Sequence, residues 1–156
     1  MKYIQFKKVR HALMATVVTV TIAGLAVSSP LEDYLSKYRF VTSYPWYAPW
    51  RVGTIMIIVW IISSLFSSSK RALANWIMLT SAIAITVAYY AMVSIEVQNG
   101  LTVKVLPLVN LVEANEGSFY RLDVAQLIII LSAIQCYSIL KTSPRTPSGK
   151  RKILSR

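Results

Sequence analysis

The chain has 156 residues, 55% of them hydrophobic, with a mean hydropathy of +0.53 and a formal net charge of +11. Length bounds it to one domain, and that apolar content excludes an ordinary soluble domain of this size. The basic surplus does not read as a nucleic-acid face. It is divided among the two tails and the segments that connect apolar runs, whereas duplex binding needs a clustered, groove-facing basic surface.

Four apolar runs set the organisation. Helices are predicted at about 12–29, 52–69, 72–95 and 120–140, a four-helix bundle of the all-α integral membrane class. The central pair is the clearest. Val52–Ser69 and Ala72–Ile95 are uncharged runs of 18 and 24 residues, separated by Lys70-Arg71. As helices they reach roughly 27 and 36 Å, against a bilayer core of about 30 Å. A chain this small rarely has room to hide two all-round apolar helices in a water-soluble core.

In chain order, residues 1–11 are a short basic tail. The run 12–29 follows, rich in Val and in Thr16, Thr19 and Thr21, whose hydroxyls can bond back to the preceding turn. A basic start, an apolar stretch and the small residues Ala26 and Ser28 also describe a cleavable secretory signal, but the run reads as a first membrane helix. Ser29-Pro30-Leu31-Glu32 is a helix start, with a capping residue, proline at the first position and a capping-box glutamate. Leu31, Tyr34, Leu35 and Tyr38 then share a face, which predicts a short interfacial helix over about 30–39. Tyr44-Pro45-Trp46-Tyr47-Ala48-Pro49-Trp50 follows. The two prolines argue against regular helix there, and Trp46, Tyr47 and Trp50 read as headgroup-belt anchors.

The third helix carries Ser81, Ala84, Ala88 and Ala91 at steps of three and four. Such a small-residue stripe lets helices approach closely in lipid and marks a packing face. The outer connection 96–123 opens with the turn signal Asn99-Gly100. Its segment 101–106 alternates apolar and polar residues as a strand does, and a lone strand needs a partner. Gln126 and Gln135 interrupt the fourth run, and an amide in hydrocarbon needs a protein partner. The tail 141–156 has two prolines, one glycine and six basic residues, so it reads as a flexible cytoplasmic tail resting on anionic headgroups.

Charge fixes the expected orientation. Segments 1–11, 70–71 and 141–156 hold twelve Lys or Arg and no acid, while 30–51 and 96–123 hold five basic residues and all six acids. By the positive-inside rule both termini face the cytoplasm, and the plasma membrane is the expected location.

The residues of membrane catalysis are scarce. His11 is the single histidine and Cys136 the single cysteine, so neither a paired haem ligand set nor a redox CxxC pair can be assembled. No catalytic triad and no glycine-rich phosphate loop appears. Glu96 and Asp123 sit at the outer ends of their runs, where a carboxylate is ordinarily solvated. Four spans with two outer loops is similar to the layout of the quinone-linked disulfide-forming enzymes, whose paired cysteines are absent here; layout alone carries no function. The expected role is therefore a non-catalytic accessory subunit of a multi-subunit plasma-membrane complex, with other membrane proteins as partners, no cofactor and no nucleic acid. The alternative is a homo-oligomeric transporter or lipid- or quinone-binding protein, with Tyr89, Tyr90, Asp123, Gln126 and Gln135 lining a polar face of helices three and four.

Overall fold

The computed structural model describes residues 2–28, 44–114 and 117–142. The chain is mostly helical, with four helices long and apolar enough to cross a membrane and one small sheet. The order is α1 (Lys2–Ser28), α2 (Tyr47–Leu65), α3 (Ala72–Gln98), β1 (Thr102–Val105), β2 (Val109–Ala114), β3 (Gly117–Leu122) and α4 (Val124–Thr142). The interfacial helix expected at 30–39 and most of the basic tail lie outside the described residues.

Several boundaries differ from the sequence reading. α1 starts ten residues before the apolar run, because nothing between Lys2 and Ala12 breaks a helix and Lys and Arg are good helix formers. α2 starts at Tyr47 despite Pro49. Its first four-residue bond is Trp50 N–H to Trp46 O (3.2 Å), so Pro49 falls where a helix has no carbonyl to receive an N–H. α2 also ends early, at Leu65. The turn that follows is held by the Asn75 amide, which donates to Ser68 O (2.9 Å) and accepts from Ser68 N–H (3.2 Å).

α3 is the central helix. It continues to Gln98 and ends in a Schellman motif: Gly100 N–H donates to Val97 O (3.1 Å) and Leu101 N–H to Glu96 O (3.2 Å). Gly100 takes φ +93°, a left-handed conformation open to glycine. The core lies where α2, α3 and α4 meet, built from Met56, Trp60, Met78, Ala82, Ile85 and Ile128. Polar contacts also stitch the helices together. Trp60 Nε1–H donates to Ser132 Oγ (2.9 Å), Gln135 Nε2–H to Ser64 O (2.7 Å), and the Thr19 and Thr80 hydroxyls pair at 2.8 Å.

The outer connection holds the β element expected there, extended to three strands. β1, β2 and β3 form an antiparallel sheet in chain order, with Val103 opposite Val112 and Val112 opposite Phe119. The partner that the predicted strand needed is therefore the next stretch of the same connection. The fourth helix was expected from about 120, but Tyr120, Arg121 and Leu122 belong to β3. Their pairing with Leu111, Asn110 and Val109 continues β3 until Asp123 caps α4.

Candidate functional site

The densest polar constellation lies where the sheet meets the ends of α3 and α4. Asp123 is its hub and is fully buried. Its Oδ1 accepts from the Gln126 backbone N–H (2.9 Å), an N-cap at the first turn of α4. Its Oδ2 accepts from Tyr90 Oη (3.1 Å) and from Gln126 Nε2 (3.1 Å). A carboxylate here also faces the positive end of the α4 dipole.

Gln126 extends the network into the β1–β2 turn. Its Oε1 accepts from Leu108 N–H (2.9 Å), and its Nε2 donates to Leu106 O (3.1 Å). Asp123 N–H donates to Leu108 O (2.9 Å). These contacts surround Leu108, whose φ of +64° is a left-handed value uncommon outside glycine.

On the α3 side, Tyr89 Oη donates to Leu122 O (3.3 Å) and accepts from Asn110 Nδ2 (2.8 Å). Asn110 is fully buried on the inward face of β2 and lies directly opposite Arg121. Arg121 grips Glu96 with two bonds, Nη1–Oε1 at 2.7 Å and Nη2–Oε2 at 2.8 Å, and its guanidinium stands 5.7 Å from the Tyr89 ring centre. The hydrogen bonds that Arg121 donates to Glu96 outweigh burial and hold its guanidinium pKa above the ordinary value. Glu96 and Asp123 are therefore not the solvated helix-end carboxylates that their positions suggested. Glu96 closes a bidentate ion pair and Asp123 is enclosed by donors, because the sheet folds back over both helix ends.

The structure brings Tyr89, Tyr90, Asp123 and Gln126 into one network and places Gln135 apart, about nine residues down α4 at Ser64. Asn110, Arg121 and Glu96 belong to the network without a sequence signal that linked them. Their partners lie on other elements, 21 and 25 residues away.

Ser81 and Ala88 are buried in the α3 interface, Ala84 is half-buried, and Ala91 is exposed. At the start of α2, Tyr44 stacks on Trp46 (5.5 Å between centres) and Tyr47 on Trp50 (5.6 Å). Arg51, which carried no sequence signal, is buried there. It donates to Val27 O (2.8 Å) at the C-terminal end of α1 and stands 5.5 Å from the Tyr47 ring centre. A cation at a helix C-terminus complements its dipole.

Among the described residues, three apolar crevices lie beside α3. The largest, about 580 Å³, runs between α1, α2 and α3, with Thr19 and Thr80 at one end and Val27, Ala48 and Pro49 at the other. A second of about 330 Å³ lies under the sheet beside Trp50, Tyr89 and Arg121, and a third of about 440 Å³ lies between α3 and α4 beside Cys136. Among the described residues no group of three or more His, Cys, Asp or Glu is placed to hold a metal ion. Comparison with known protein families, with characterised proteins and with solved structures finds no match.

Proposed function

We propose that the chain is a non-catalytic accessory subunit of a plasma-membrane complex, spanning the bilayer four times with both termini in the cytoplasm and the sheet outside. The observation that carries this reading is the use made of the polar side chains of α3 and α4. Tyr89, Tyr90, Asp123 and Gln126 bond to one another and to the sheet backbone, and Gln135 bonds to α2. Such an arrangement fixes a sheet rigidly above a bundle and leaves little to conduct a polar solute.

The partner surface follows from what remains uncovered. The small-residue face of α3 is largely taken up within the chain, so it offers little to a neighbour. On the outward face of the sheet, Tyr120 is 72% exposed and lies opposite Leu111, with the Lys104–Glu113 ion pair (2.7 Å) on the same face. A protruding tyrosine ringed by polar groups is a common anchor at protein interfaces. Extraction in mild detergent followed by native electrophoresis and mass spectrometry tests the role. The expected result is an assembly with other membrane chains, which Tyr120→Lys weakens. Migration of the parent protein as a 17.5 kDa monomer would refute it.

The crevice between α1, α2 and α3 favours a second reading, a lipid- or quinone-binding protein. From Thr16 to Val27 it follows twelve residues of α1, eleven steps or about 16 Å. Its walls suit a hydrocarbon tail, and its mouth lies near Arg51 and the aromatic cluster. That reading expects a co-purifying lipid or isoprenoid that Ala84→Phe expels; equal lipid content in both proteins counts against it.

A further inference from the structure

We propose that the β1–β2 tip, residues 105–109, is an interfacial anchor that rests at the boundary between lipid headgroups and acyl chains beside α4. This rests on the membrane reading above and goes beyond it, since it assigns lipid contact to part of the outer sheet. The tip reads Val-Leu-Pro-Leu-Val, without a charge or a polar side chain. Val105, Leu106 and Leu108 are exposed at 52%, 40% and 39%. Facing water, these residues form an uncovered apolar patch.

Depth identifies the occupant. The tip is bound to the first turn of α4 through the Leu108 N–H to Gln126 Oε1, Gln126 Nε2 to Leu106 O and Asp123 N–H to Leu108 O contacts. α4 has 19 residues, about 28 Å, so a spanning α4 starts at the edge of a roughly 30 Å hydrocarbon core. α2 gives the same level independently. Gly53 lies against Ala88, where an added Cβ would stand 3.9 Å from the Ala88 Cβ. Trp50 is three residues outward from Gly53 and Tyr90 two residues outward from Ala88, about 4.5 and 3 Å along their axes. Tyr90 Oη holds Asp123, so the start of α4 lies within a tyrosine side chain's reach of the level of Trp50 and the aromatic belt.

The backbone of the tip also suits that depth. Irregular chain is tolerated at a membrane boundary when its polar groups are satisfied without water. Leu106 N–H donates to Val109 O (2.9 Å), Pro107 has no N–H, and Leu108 N–H donates to Gln126. The carbonyls of Leu106 and Leu108 accept from Gln126 and Asp123. Gln126 gains in turn, since an amide at the head of a lipid-facing helix has both its ends engaged. The left-handed Leu108 is the bend that turns the apolar side chains outward along α4 while keeping these bonds.

The test uses the full chain carrying Cys136→Ser, with an environment-sensitive fluorophore on a single introduced cysteine, reconstituted in phosphatidylcholine–phosphatidylglycerol nanodiscs. Leu106→Cys reports the tip, Ile130→Cys the exposed side of α4, and Ser118→Cys the far end of the sheet. The expected result is blue-shifted emission from the labels at 106 and 130, both quenched by spin-labelled acyl chains, and water-like emission at 118. A lipid-quenched 130 with a water-like 106 overturns the anchor and leaves the membrane reading standing. Water-like emission at all three sites overturns both.

Discussion

Asp123→Ala removes the hub of the junction between sheet and helices. The Gln126 N–H loses its cap acceptor, a loss worth about 1 kcal/mol for an aspartate N-cap. Tyr90 Oη loses its acceptor in a part-buried site, where an orphaned donor costs about 1–3 kcal/mol. Gln126 Nε2 keeps Leu106 O and adds little. The expected destabilisation is therefore about 2–4 kcal/mol. For a chain of this length that lowers the melting temperature by roughly 4–16 °C. Asp123→Asn keeps the volume and one cap oxygen but turns an amide donor toward a second donor, so about 1 kcal/mol is expected. The assay is thermal unfolding of the detergent-solubilised protein, with amide exchange read at Gln126, Leu108 and Asp123 or its replacement. Loss of protection at all three amides is expected in the alanine variant. Unchanged melting and unchanged exchange in Asp123→Ala would show that the sheet is held by something else.

Ser132→Ala leaves the buried Trp60 indole N–H without its acceptor and should cost about 1–2 kcal/mol, between the mean interhelical bond in membranes and an orphaned donor; adding Trp60→Phe should recover part of it. Glu96→Gln breaks a bidentate, largely buried pair and should cost about 2 kcal/mol, whereas Lys104→Ala, at an exposed pair, should change stability by less than about 1 kcal/mol. Equal effects of the two would contradict the burial argument. On the proposed orientation, protease added outside intact cells leaves 141–156 uncut; cleavage of that tail would reverse the topology.

The helices were legible because a spanning run needs only length and lack of charge, which Val52–Ser69 and Ala72–Ile95 display openly. Their ends were less so. Pro49 reads as a breaker until its position in the first turn is known, and Leu65 ends α2 through a turn pinned by Asn75, ten residues on. The start of α4 did carry a signal, since Asp123 and Gln126 stand in capping-box spacing, but Phe119 to Leu122 belong to β3 through their pairing with Val109 to Val112, which no local pattern announces. Asn110, Arg121 and Glu96 could not be gathered from sequence. Their association depends on the sheet folding back over α3, a register that no local pattern encodes.

The strand order also bears on how the molecule is made. Each strand pairs with its neighbour in sequence, so the strand-to-strand ladders of β1, β2 and β3 need no partner from elsewhere in the chain. Hairpins of this kind close in about 1–10 μs, while a ribosome adds only about 5–20 residues per second. The meander therefore has time to assemble before α4 is synthesised, and the Gln126 latch closes last, on a preformed target.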